Sequence, residues 1–256
     1  MIDIHSHLLP GVDDGSRSIE ESLPVLQRFG DGGVEVLVCT PHLMASAAAE
    51  APYEKHQEIL KGLRAAAPAV PELKLGWEIM LDRPGVDLTD PRLGLGGSKA
   101  VLVEWARMTI PPRSSEELFR LRMSGIVPVL AHPERYAGCT VEHVADWRRV
   151  GAVIQLDGAG LLGNHQMAEL SRQILARGLA DLIASDNHGD SRSLMAVRDW
   201  LLEVGAPEQA AMLTRDNAAR LLADEPVRAV PPLEFRKGAL ARLKELVLGR
   251  GRTARA

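Results

Sequence analysis

The sequence predicts an α/β fold, a distorted (βα)7 barrel of parallel strands. Seven short apolar runs, four to seven residues each, recur along the chain. Single helical patterns separate most of them, and strands alternating with helices imply a parallel sheet. Seven such units in about 225 residues suit a closed or nearly closed barrel.

The expected strands cover residues 2–5, 34–40, 73–79, 100–105, 127–132, 152–156 and 182–185. The expected helices cover 19–29, 53–66, 115–124, 141–150, 166–177 and 194–204. Ser18 ahead of Glu20 and Glu21, and Ser114 ahead of Glu116 and Glu117, read as N-caps. No internal repeat is visible. The segment 226–232 is proline-rich and marks the end of a first unit, 1–225. Residues 226–256 form a basic tail, in which Leu240, Leu243 and Val247 fall on one face of a short expected helix.

Composition narrows the function classes. With 46% hydrophobic and 25% charged residues, the 256-residue chain reads as an ordinary globular protein. No apolar run approaches the roughly 20 residues of a membrane span. The opening Met1-Ile2-Asp3-Ile4-His5 lacks the basic and apolar regions of a signal peptide. Cys39 and Cys139 form no CxxC pair, so a reducing, cytoplasmic setting is expected. Net charge is −4, unevenly spread. The tail holds eight basic and two acidic residues; the rest holds 22 and 32. Such a tail can touch a membrane surface, nucleic acid or an acidic partner, or serve only as a solubilising end.

The chemistry-bearing residues gather at expected strand ends. His5 and His7 follow the first strand, with Asp13 and Asp14 just beyond. His42, Glu78, Glu104 and His132 stand at the C-terminal ends of the next four strands; Asp186 and His188 at that of the seventh. The C-terminal face of the strands is where barrel sites are built. Imidazole and carboxylate together suit Mn2+, Zn2+ or Fe2+. In His5-Ser6-His7, alternate residues share one strand face, so both rings can reach one ion. A lone strand-end histidine is more often a hydrogen-bonded structural residue. Five of eight histidines in such places, interleaved with acids, would bury unpaired charge at high cost without a metal. His56, His143 and His165 lie in helical patterns and read as structural.

Taken in order, IDIHSHLLPGVDDG (2–15), Thr40-Pro41-His42, GWEI (76–79), Val103-Glu104, AHPERY (131–136), Leu161-Leu162-Gly163 and ASDNH (184–188) closely resemble one family. It is the polymerase-and-histidinol-phosphatase (PHP) family, in its branch of bacterial manganese-dependent protein-tyrosine phosphatases of capsule and exopolysaccharide operons. The resemblance covers residues 1–225. It implies a PHP-like barrel with two or three Mn2+ ions, or Fe, Zn or Mg, at the C-terminal strand ends. One ion would take His5, His7, Glu78 and Asp186. A second would share Glu78 and take Glu104 and His132. A third would take Asp14, His42 and His188. Asp14 is preferred to Asp13 because it directly precedes Gly15. Arg135 and Arg192 match family arginines that would hold the phosphate.

The implied activity is phosphomonoester hydrolysis by a metal-bridged hydroxide, with no covalent phosphoenzyme. Two ions roughly 3.5–4 Å apart polarise the phosphoryl oxygens and bring a bridging water's pKa towards 7. The expected partner is a phosphotyrosyl protein, a bacterial tyrosine kinase, and not nucleic acid; an oligomer is compatible. A cysteine-based phosphatase would need an arginine six residues after its nucleophile, but those positions are Ala45 and Ala145. Gly158-Ala159-Gly160-Leu161-Leu162-Gly163 fits GxGxxG but lies in the sixth unit, where a dinucleotide motif is not expected.

Residues 45–51, Trp105-Ala106-Arg107 and Asp157-Gly158 depart from the family pattern and are expected at the pocket mouth. Two other readings share the sequence: a PHP phosphatase of a small metabolite such as histidinol phosphate, and a non-catalytic metal-binding module.

Overall fold

Short runs rich in valine, isoleucine and leucine are buried on both faces, as parallel strands require. The computed structural model describes residues 1–163 and 166–234. Nine strands are present among them: β1 (Ile2–Ser6), β2 (Val36–Cys39), β3 (His42–Met44), β4 (Glu72–Leu75), β5 (Glu78–Leu81), β6 (Ala100–Trp105), β7 (Val127–Ala131), β8 (Val153–Asp157) and β9 (Leu182–Ala184). All pair in parallel. They form a three-stranded sheet, β1-β2-β4, and a six-stranded sheet, β3-β5-β6-β7-β8-β9.

The α/β class is as expected, but a single seven-stranded barrel is not formed. The expected strands 34–40 and 73–79 each break. Cys39 pairs with Leu75, both chains then skip two residues, and His42 pairs with Glu78 in the second sheet. Pro41 has no N–H to continue the ladder. The hydrogen bonds Gly76 N–H to Cys39 O and Glu78 N–H to Pro41 O carry the chain across the gap. β1 and β9 are not paired as strands; beyond β9, Asn187 bridges Ser6, Asp186 N–H donates to His5 O and Ser185 N–H donates to Asp3 Oδ1.

Among the described residues nine α-helices accompany the strands: α1 (Ile19–Asp31), α2 (Tyr53–Ala66), α3 (Ser114–Met123), α4 (Val141–Arg149), α5 (Gly158–Leu162), α6 (Gln166–Ala176), α7 (Leu194–Glu203), α8 (Pro207–Ala211) and α9 (Asn217–Leu222). Alternate strand residues serve two layers. Val101, Val103, Leu130, Ile154 and Ile183 join the large outer core with Trp105 and Trp147. Ile4, Leu102, Val129, Val153 and Leu182 form a smaller inner cluster. The inner faces of β6 and β8 turn polar towards their C-terminal ends, as Leu102 gives way to Glu104 and Val153 to Gln155 and Asp157.

Two expected caps differ. Ser18 stands at the N-cap of α1 without a side-chain cap bond. Ser114 lies inside α3, and its hydroxyl accepts from Trp147 Nε1–H instead. Side-chain caps form elsewhere: Thr140 and His143 close a reciprocal box at α4, Asp157 caps α5 and Ser193 caps α7. The box at α4 fixes His143 in a structural role. The tail's first residues pack back on the body: Val230 and Leu233 are buried, and Leu233 N–H donates to Leu175 O. The expected helix around Leu240, Leu243 and Val247 lies outside the described residues, as does His165. No described helix is long and apolar enough to cross a membrane.

Candidate metal centre

The loop after β1 returns on itself because of one glycine. Ser16 N–H donates to His7 O, and a Cβ on Gly15 would lie 2.0 Å from that carbonyl. The turn brings Asp13 and Asp14 back over His7. Asp13 does not join the ligand groups. Its carboxylate accepts from His7 Nδ1–H at 2.7 Å, from Gly15 N–H at 3.1 Å and from His42 N–H at 3.2 Å. It therefore turns His7 Nε2 inward, the usual second-layer device behind a metal-bound imidazole.

His5, His7, Glu78 and Asp186 meet in the buried centre. His5 Nε2 lies 3.2 Å from His7 Nε2, 3.2 Å from Asp186 Oδ1 and 3.3 Å from Glu78 Oε2. His7 Nε2 lies 3.2 Å from Glu78 Oε2 and 3.3 Å from Asp186 Oδ1. Ligands 2.0–2.2 Å from a common ion stand roughly 2.9–3.6 Å apart in octahedral or tetrahedral arrangements. The spacing fits a first-row metal.

Four overlapping groups could hold ions: His5 with His7 and Asp186; His5 with Glu78 and His132; His42 with Glu78 and Glu104; and His7 with Asp14, His42 and His188. All nine expected ligands fall within them. The grouping differs from the expected three: His7 joins Asp14, His42 and His188, and His5 joins Glu78 and His132. Glu104 lies with His42, 3.8 Å from its Nδ1, whereas His132 Nε2–H donates to Glu78 Oε1 at 2.7 Å. His42 faces both ways, with Nδ1 3.1 Å from Glu78 and Nε2 3.3 Å from Asp14. Asp14 is 67% exposed, so the Asp14–His42–His188 group forms the open side of a buried cluster.

His42 and Glu78 begin strands rather than end them, because the sheet switch falls just before both. His132 and Asp186 have positive φ, 32° and 48°. Non-glycine residues adopt that region at a cost and concentrate there at functional sites.

The electrostatics are those of carboxylates held by positive neighbours. Burial opposes charge on His5, but Glu78 and Asp186 beside it push its pKa up to about 10. Burial also opposes ionisation of Asp186, yet His5, His7 and Arg135 hold it well below the usual carboxylate range. Glu104 is pushed up to about 7 by burial and by Glu78. Protons and ions compete for such ligands.

Arg135 and Arg192 both reach the far oxygen of Asp186. Arg135 Nη2 donates to Asp186 Oδ2 at 2.5 Å and to Asp157 Oδ2 at 2.6 Å. Arg192 Nη1 donates to Asp186 Oδ2 at 3.2 Å, and its Nε to Asp190 Oδ2 at 2.8 Å. Asp186 thus turns one oxygen to the imidazoles and the other to two guanidiniums.

Two supports of this constellation were not expected in their roles: Asp157, expected only at the pocket mouth, and Gln155. Asp157 anchors Arg135 while capping α5 through Ala159 and Gly160 N–H. A Cβ on Gly158 would lie 2.7 Å from Val197, so that glycine serves helix packing rather than a nucleotide. Gln155 accepts from His5 Nδ1–H at 3.0 Å. Its only sequence signal is a polar residue inside the apolar run of β8. Of the expected mouth residues, Trp105 is buried near Trp147, and Ala45 and Ala48 are in the core. Arg107 is exposed with φ 56°.

Fold and cluster together define a parallel α/β protein with a buried group of His, Asp and Glu side chains that could hold metal ions. The chain belongs to the capsular polysaccharide synthesis family CpsB/CapC, whose model matches residues 1–223. It is 29% identical over 242 residues to the tyrosine-protein phosphatase CpsB of Streptococcus pneumoniae, covering 88% of this chain and 99% of that one. It is 24% identical over 254 residues to the tyrosine-protein phosphatase YwqE of Bacillus subtilis, covering 94% and 98%. A solved structure from work on YwqE and CpsB, described as metal-dependent tyrosine phosphatases, superposes with a TM-score of 0.71 at 23% identity. It covers 93% of this chain and all of that one, and shows the shared fold.

Proposed function

We propose that the chain is a metal-dependent protein-tyrosine phosphatase. Its substrate is phosphotyrosine in a protein, with a bacterial tyrosine kinase of capsule or exopolysaccharide control as partner. One observation carries the reading: His5 and His7 Nε2 lie 3.2–3.3 Å from Glu78 Oε2 and Asp186 Oδ1, while two arginines bind the other Asp186 oxygen. The names of the two relatives support the substrate class.

In this reading one ion takes His5, His7, Glu78 and Asp186; a second takes Glu78, Glu104 and His132; a third takes Asp14, His42 and His188. When bound, the ions supply Lewis acidity to the phosphoryl oxygens and an acidified water as nucleophile. The protein orients and neutralises. Arg135 Nη1 and Arg192 Nη2 make no hydrogen bond among the described residues and are available to phosphoryl oxygens. Asp157 and Asp190 hold the two guanidiniums in place. The catalytic unit is residues 1–225, followed by a basic tail at 226–256. Both cysteines are free, which fits a cytoplasmic setting.

Dialysis against excess chelator is expected to abolish hydrolysis of a phosphotyrosyl peptide. Mn2+ is expected to restore it better than Mg2+, which uses imidazole ligands poorly. Full activity in chelator would sink the metal mechanism. Histidinol phosphate assayed beside the peptide is expected to be the poorer substrate, and the reverse order would reassign the substrate class.

The cysteines are expected to be dispensable. Burial pushes both thiols up to about 12, so neither is a ready thiolate. Cys39→Ser and Cys139→Ser should leave turnover within a few-fold. A loss on the order of 10³-fold in a variant with native circular dichroism would restore a cysteine mechanism.

A further inference from the structure

We infer that Gln155 is a positioning residue for the metal centre: its amide fixes His5 in the tautomer that turns the Nε2 lone pair onto the ligand cluster. The inference rests on the metal reading above.

Gln155 is fully buried on β8. Its side-chain Nε2 donates to Leu156 O at 2.7 Å. A carbonyl only accepts, so the amide nitrogen must face Leu156 and the amide oxygen must face His5. That oxygen also only accepts, so His5 Nδ1 must carry hydrogen across the 3.0 Å contact. His5 Nε2 then points at His7, Glu78 and Asp186, 3.2–3.3 Å away. The orientation of one amide thus passes from a backbone carbonyl to a ligand lone pair.

A buried glutamine costs free energy unless both ends of its amide are satisfied. Here both are, and one partner is a proposed ligand. The paired histidine is treated differently, since His7 donates to the carboxylate of Asp13. An amide sets ring orientation and tautomer without adding a further negative charge beside Glu78, Glu104 and Asp186.

The test is a titration of the metal-free full chain with Mn2+ alone, read by competition with a chelator of known affinity. Gln155→Met keeps the length and removes the acceptor; it is expected to weaken the tightest Mn2+ about 10–100-fold. Gln155→Glu keeps the acceptor and is expected to recover most of that loss. Unchanged affinity in Gln155→Met, or equal loss in both variants, overturns the inference. Should Gln155→Met fail to fold, 15N NMR of Zn2+-loaded wild type decides. His5 protonated on Nδ1 supports the role, and His5 protonated on Nε2 overturns it. Wild type that binds no Mn2+ at all would instead remove the metal reading, which separates the two failures.

Discussion

Glu78→Gln is expected to abolish turnover and to remove more than one equivalent of metal. The carboxylate meets four imidazoles at once. Its Oε2 lies 3.3 Å from His5 Nε2, 3.2 Å from His7 Nε2 and 3.1 Å from His42 Nδ1. Its Oε1 accepts from His132 at 2.7 Å. Burial opposes ionisation of Glu78, but these rings hold it well below the usual carboxylate range. An amide of the same shape has no charge to offer two ions, and its NH2 group cannot ligate. A fall in kcat/KM on the order of 10³-fold or more is expected, the scale seen when a catalytic unit loses a member. Elemental analysis of the purified variant measures the metal directly. Loss of only one ion, with normal occupancy of the others, would contradict the bridging role.

The convergence of the proposed ligands was legible because these residues are local signals. His5-Ser6-His7 and Asp186-Asn187-His188 place imidazoles and carboxylates beside apolar runs, and the fold needs only to bring those ends together. The sheet break was harder to read. Two expected strands each run past a switch of partner, and both breaks are two residues long at the same level. Only the paired strand shows that Thr40-Pro41 and Gly76-Trp77 are the same event. Pro41 gave a hint in one chain; Trp77, fully buried, read as ordinary strand. The inner supports were least legible. Asp13 and Asp14 are adjacent and chemically alike, and the turn at Gly15 decides which binds His7 and which faces His42 and His188. Gln155 acts on a residue 150 positions away. No local pattern encodes such a pair.

Arg135→Lys and Arg192→Lys are each expected to lower kcat/KM by roughly 10–10³-fold, in line with loss of one transition-state donor. An exposed ion pair would predict almost nothing, since such pairs are worth about 0–1 kcal/mol. These are not exposed pairs. Each arginine is 24% exposed, and both converge on Asp186, which is 2% exposed. Lysine preserves a positive charge beside Asp186, so metal stoichiometry is expected to hold. What lysine cannot do is bind one carboxylate through Nε and another through Nη while still presenting a free Nη to a phosphoryl oxygen. Arg135 does this between Asp157 and Asp186, and Arg192 between Asp190 and Asp186. The loss should therefore fall on the chemical step, where equatorial charge builds up, more than on metal binding. Inorganic phosphate should also inhibit the variants more weakly than the wild type. Wild-type kinetics in both variants would place the guanidiniums outside the reaction, as partners of Asp157, Asp186 and Asp190 alone.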